Sequence, residues 1–129
     1  MNKRILITGS ILGLTSIILG AFASHGLKNS LSPENIRSFE IGVKYQMYHA
    51  FFLLFIGSYK VLTKKQKHYI YSFTVVGVFL FSFSIYALST KAVTNINFKP
   101  IGFITPIGGL CLIVAWSLLL YALIKNKRI

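Results

Sequence analysis

The residues able to do chemistry are few and lie scattered in apolar sequence: His25, Gln46, His49, Tyr86, Ser89 and Thr105, with Cys111 and two acids, Glu34 and Glu40. General acid–base catalysis needs a titratable pair within hydrogen-bond reach of a substrate. Two glutamates in a polar stretch do not make such a pair, and no HExxH, GxSxG or phosphate-loop pattern occurs. Cys111 is the single cysteine, which excludes an intrachain disulfide and a CxxC motif. These residues predict neither an enzyme nor a bound cofactor. Gln46 and His49 are three apart, with Gly42 on the same helical face. That spacing suits either hydrogen bonds to a neighbouring helix or a ligand or proton site.

The elements that must position these residues are apolar blocks. Of the 129 residues, 54% are apolar and only 12% charged, too little polar surface for a soluble chain of this size. Four blocks approach or exceed the roughly 17–25 residues that cross hydrocarbon as a helix. The spacing predicts spans over about 5–23, 45–62, 69–89 and 105–124. The expected fold is all-α: an integral membrane bundle of four transmembrane helices in one domain, 1–129. The last span is the most apolar; its ten Leu, Ile and Val residues from Ile107 to Ile124 favour insertion by about 3–6 kcal/mol.

Within the blocks, small residues recur at helical spacing. Gly9, Gly13, Ser16, Gly20 and Ala23 form one narrow ridge on the first span, and Gly108, Ala115 and Ala122 form another on the last. Lipid tails give helices no hydrophobic reason to associate, so ridges of this kind let backbones approach and gain van der Waals contact. They suit a neighbouring helix or a second copy of the chain. Ser32-Pro33-Glu34 reads as a helix start, with Ser as N-cap, Pro at the first position and Glu at the positive end of the dipole. From there Ile36, Phe39, Val43, Met47 and Ala50 make an apolar stripe, which predicts an amphipathic helical segment before the second span. Thr63–His68 reads as a basic turn, and Thr105 as the N-cap of the last span, ahead of Pro106.

Charge sets the orientation. The net charge is +12, with the cations in short clusters between apolar blocks. That distribution predicts attraction to anionic lipid headgroups rather than nucleic acid. Lys3, Arg4, Lys60, Lys64, Lys65, Lys67, Lys125, Lys127 and Arg128 fall on the side of both termini. Five cations and both acids fall on the other. The excess places both termini in the cytoplasm. His68 is then across the membrane from His25 and His49, which leaves two ligands where zinc needs three or four. His25, Gln46, His49, Tyr86, Ser89 and Thr105 all fall in the non-cytoplasmic half, where a compact bundle would gather them into one outward-opening polar cluster.

Over nearly its whole length the chain resembles the YgdD/YwdK-like family of small four-helix membrane proteins. The likeness rests on Leu19–Leu27, Tyr45–Ala50, Phe81–Tyr86 and Thr105–Gly109 with Ala115-Trp116. The family usually has Gly where this chain has Phe83 and Ala115, and Gly-Ala-His where it has Ala23-Ser24-His25. The resemblance implies a bacterial plasma-membrane protein and supplies no activity. The leading functional expectation is a non-enzymatic membrane protein whose polar cluster binds a lipid headgroup, a small ligand or a partner helix. The alternative is a small transporter or channel component with Gln46, His49 and Tyr86 along the path.

Overall fold

A computed structural model of the chain describes residues 2–126, so Lys127 and Arg128 of the basic tail lie outside the described residues. Among the described residues every regular element is helical. Helix α1 spans Lys3–His25, α2 Pro33–Ser58 and α3 Lys64–Val78; α3 continues through a π-helical segment, Phe79–Phe83, into α4, Ser84–Ser89. A single turn, α5 (Lys91–Thr94), and a 3-10 turn at Lys99–Ile101 lead into α6, Ile104–Lys125. Three stretches are long and apolar enough to cross a membrane: Lys3–His25, Lys64–Ser89 and Lys99–Lys125.

Local chemistry sets the helix starts. Asn2 caps α1 by accepting from the Ile5 amide, and Ser32 caps α2 by accepting from the Asn35 amide, with Pro33 at the first helical position. Thr63 opens α3 with a capping box, its hydroxyl accepting from the Gln66 amide while the Gln66 side chain accepts from the Thr63 amide. The basic stretch expected as a turn is therefore helical from Lys64 on. Thr105 is not an N-cap either. Helix α6 begins one residue earlier, after Phe103, without a side-chain cap. Pro106 falls in that first turn, where a missing amide costs no intrahelical bond.

Helix α1 packs on α2, α3 packs on α6, and α2 links the pairs through α3 and α4. Both small-residue ridges lie in these contacts. Gly9, Ser16 and Ala23 are buried on α1, and Gly9 faces the Ala50 carbonyl closely enough that an added Cβ would sit 3.0 Å from its oxygen. On α6, Gly108, Ala115 and Ala122 are buried against α3 and the π segment. The ridges are thus covered from within the chain. Ala115, where the family usually has Gly, is wholly buried in the core, whereas Phe83 is exposed, with its ring beside those of Phe79 and Tyr86.

Two apolar clusters result. One joins Ile5, Leu53, Ile56, Ile70 and Leu119 at the end of the bundle that carries the chain start; the other joins Ala23, Leu27, Leu31 and Phe39 at the opposite end. Phe39 of the expected amphipathic stripe thereby seals the end of α1. The outward faces stay apolar: Ile11, Leu14 and Ile18 on α1, and Leu110, Ile113 and Leu120 on α6 are all exposed.

The tightest approach in the fold is at Gly108, whose added Cβ would meet the Phe81 amide nitrogen and lie 2.7 Å from the Leu80 carbonyl carbon. Gly108→Ala is expected to lower the unfolding midpoint in detergent by the equivalent of about 1–3 kcal/mol. Gly109→Ala, which would touch only the Phe81 ring at 3.6 Å, should leave the midpoint unchanged. Equal midpoints for the two variants would contradict the backbone contact.

Candidate functional site

Between the two apolar clusters lies a polar layer, and Gln46 is its hub. The side chain is 0% exposed. Its Nε2 donates to the Leu12 carbonyl at 3.0 Å and to the Thr15 hydroxyl at 2.7 Å, both on α1. Its Oε1 accepts from the Tyr86 hydroxyl of α4 at 2.6 Å. A carbonyl only accepts, so the amide is oriented with nitrogen toward α1 and oxygen toward α4. One glutamine thus ties three helices together.

The π segment supports this arrangement. It places Ser82, which is wholly buried, so that its hydroxyl donates to the Gly42 carbonyl at 2.8 Å. Gly42 leaves room for Tyr86, since an added Cβ would sit 2.7 Å from the Tyr86 ring. Phe39 packs on the other side of that ring, with centroids 4.8 Å apart.

His49 belongs to a separate pair. The Trp116 indole, which only donates, gives its hydrogen to His49 Nε2 at 3.1 Å. The ring proton is then on Nδ1 and is donated to the Tyr45 carbonyl one turn back, at 2.6 Å. Both ring nitrogens are engaged in the neutral tautomer, and protonating Nε2 would break the bond to α6. Trp116 also packs against Phe52, with ring centroids 4.2 Å apart and planes tilted by 41°.

The other expected members are placed differently. Thr105 exchanges a hydrogen bond with Ser84 at 2.6 Å; Ser84 also donates to the Phe81 carbonyl, which leaves Thr105 as the donor in the shared bond. Ser89 is buried and bonds back to its own helix at the Ile85 carbonyl. His25 is exposed at the end of α1, apart from the rest. Instead of one cluster, the fold makes three small groups: Gln46 with Tyr86, His49 with Trp116, and Thr105 with Ser84. Among the described residues no buried side-chain nitrogen or oxygen lacks a partner.

Thr15, Ser84 and Trp116 are the partners that sequence reasoning missed. Trp116 had a readable signal, because a lone indole N–H in an apolar helix needs an acceptor. Ser84 had none, since only the π segment turns it toward α6.

Two clefts run along the seam between α2 and α6. The larger, of about 810 Å³, is mostly apolar and is lined by Tyr45, His49, Phe81, Gly109 and Trp116, among others. The smaller, of about 410 Å³, places the polar side chains of Asn35, Ser38, Ser89 and Thr105 among apolar ones such as Ile85 and Leu88. Pro106 lines both. On α2 the lining residues 35, 38, 45 and 49 fall on one helical face at 100° per residue, so the clefts adjoin along α2 as a groove that is apolar around Trp116 and carries its polar side chains at the Asn35 end.

The Gln46–Tyr86 bond predicts a measurable coupling. Gln46→Leu and Tyr86→Phe should each lower the unfolding free energy, Gln46→Leu the more because it also leaves Thr15 without its interhelical partner. The double variant should lose less than the sum, with a coupling of about 0.6–1.7 kcal/mol, the range for strong bonds between membrane helices. Strict additivity in the cycle would rule the bond out.

The family described as "Protein of unknown function (DUF423)" matches residues 19–109, a stretch that includes Gln46, His49, Tyr86 and Thr105. The chain is similar along its whole length to a UPF0382 membrane protein of Haemophilus influenzae, with 33% identity and both chains fully covered. It is 36% identical to the UPF0382 membrane protein YwdK of Bacillus subtilis, over 95% of this chain and 98% of that one. It is 28% identical to the UPF0382 inner membrane protein YgdD of Escherichia coli, over 98% of this chain and 94% of that one. No solved structure matches. A helical chain with three membrane-length apolar stretches and these relatives along its full length belongs to the DUF423 family of membrane proteins.

Proposed function

We propose that this is a non-enzymatic, four-span protein of the bacterial plasma membrane that holds one amphiphile, a membrane lipid, in the groove between α2 and α6. The observation that carries the reading is the groove itself, apolar beside Trp116 and Phe81 and polar beside Asn35, Ser38 and Thr105. A hydrocarbon tail suits the first part and a hydrogen-bonding headgroup the second. Ligand sites generally combine apolar walls with a few placed polar groups in this way. Transport has less support, because the side chains that would line a path, Gln46, His49 and Tyr86, are bonded to one another's helices.

The fourth span is α2. Its 26 residues extend about 39 Å at 1.5 Å each, more than the roughly 30 Å of hydrocarbon. Its charged residues, Glu34, Arg37, Glu40 and Lys44, all lie in the first half, toward the headgroups; beyond them Gln46 and His49 are buried, while the exposed face carries Tyr45, Tyr48, Phe51 and Phe55. Such a face is costly in water and at ease in lipid. With α2 as the fourth crossing, the charge asymmetry supports both termini in the cytoplasm.

Topology and ligand have separate tests. In a Cys111→Ala background, an impermeant maleimide added to whole cells should label Lys28→Cys and reach Lys65→Cys only after permeabilisation. Equal labelling of both in intact cells would remove α2 as a span. For the groove, native mass spectrometry from nanodiscs of phosphatidylcholine alone, which the basic end of the bundle does not select, should find one lipid retained per wild-type chain. Gly109→Leu, which fills the apolar end, should lose it while keeping its unfolding midpoint. A bare wild type, or the same retained lipid in both proteins, would overturn the reading.

A further inference from the structure

The end of the bundle remote from the polar groove holds a second cavity, and its chemistry is opposite. It encloses about 520 Å³ and is lined by Asn2, Lys3, Arg4, Lys60, Lys64 and Lys67, together with Leu62. Five cations from three parts of the chain thus face one space. Lys3 and Arg4 open α1, Lys60 belongs to the turn after α2, and Lys64 and Lys67 open α3. The positive ends of two long helices border the same space, which adds to the field there.

Lys67 makes this more than a crowded surface. Its side chain is only 6% exposed, and its ammonium donates to the Gly57 carbonyl at 3.3 Å. The Gly57 oxygen also accepts from the Asn2 amide at 2.9 Å, so one neutral oxygen serves two donors. No acidic side chain of the sequence is near. Glu34 and Glu40 are the only two, and Glu40 precedes Gly57 by seventeen residues of the same helix, about 25 Å. A buried cation with no acidic side chain beside it is costly, and four more cations at the rim raise that cost. The arrangement calls for an anion.

We propose that this cavity binds the phosphate of an anionic phospholipid, held by Lys60, Lys64 and Lys67 with Lys3 and Arg4 closing over it. The phosphate chemistry alone would admit a free anion. Position selects the lipid: the cavity lies where α1 and α3 begin and α2 ends, at the headgroup level of a bilayer spanned by these helices. Basic pockets between membrane helices take acidic headgroups in this manner. The site is distinct from the groove between α2 and α6, at the other end of the bundle, and the Gly109→Leu variant leaves it intact.

The test is thermal unfolding in a neutral detergent with added short-chain phosphatidylglycerol, phosphatidylcholine of the same chains, or inorganic phosphate. In the Gly109→Leu variant, whose groove is filled, phosphatidylglycerol should raise the midpoint, while phosphatidylcholine and millimolar phosphate should not. The double variant Lys60→Gln, Lys64→Gln should weaken the apparent affinity at least tenfold. The control Lys65→Gln, Lys125→Gln removes the same charge from the same end but outside the cavity, and should keep the wild-type response. Equal weakening in both double variants would reduce the effect to diffuse charge and overturn the site. A matching shift with inorganic phosphate would overturn the lipid assignment, and no shift with any addition would overturn both.

Discussion

Hydrocarbon cannot hydrogen-bond, and that constraint shapes the interior of this protein more than any apolar contact. Every polar group carried into the membrane must find its partner within the chain. Gln46 shows how the requirement becomes architecture. Its amide has donors on one side and an acceptor on the other, and only an arrangement with α1 and α4 on opposite flanks of α2 satisfies both. Apolar contacts are non-directional and would tolerate several rotations of these helices. The glutamine admits one. His49 and Trp116 do the same for α2 against α6, so α2 is the helix that sets where the others stand.

This explains which features the sequence disclosed. Blocks of Leu, Ile and Phe announce helices because their length is set by bilayer thickness, which is independent of tertiary detail. The start of α2 was legible because Ser32, Pro33 and Glu34 act through local chemistry. The ridge from Gly9 to Ala23 was legible as a contact surface, since small residues at helical spacing have few other uses. What it faced was not, because the identity of a packing partner is a long-range property.

The misreadings have physical causes too. Thr63 and Gln66 form a capping box that the surrounding lysines obscured, and it draws the cations into the helix. Thr105 has the composition of an N-cap but bonds sideways to Ser84. The polar residues did not gather into one cluster, because most found nearer partners and His25 stands exposed at the end of α1. Ser89 needed only its own backbone, and Thr105 only the next helix. Proximity along the membrane normal was readable; angular position around each helix was not.

The π segment at Phe79–Phe83 is the reason angular position escaped the sequence. A π turn accommodates one residue more than an α turn over the same rise, so it acts as an insertion absorbed inside a helix. Each residue turns the chain by about 100°, and everything after Phe83 is therefore aimed differently from everything before Val78. Closing the bulge by deleting one residue would restore a uniform helix and, by the same rotation, carry Tyr86 off Gln46 and Ser84 off Thr105. The irregular turn works as a phase shifter, letting one rod address α6 through Gly77 in its first half and, beyond the bulge, turn Tyr86 to α2 and Ser84 to α6.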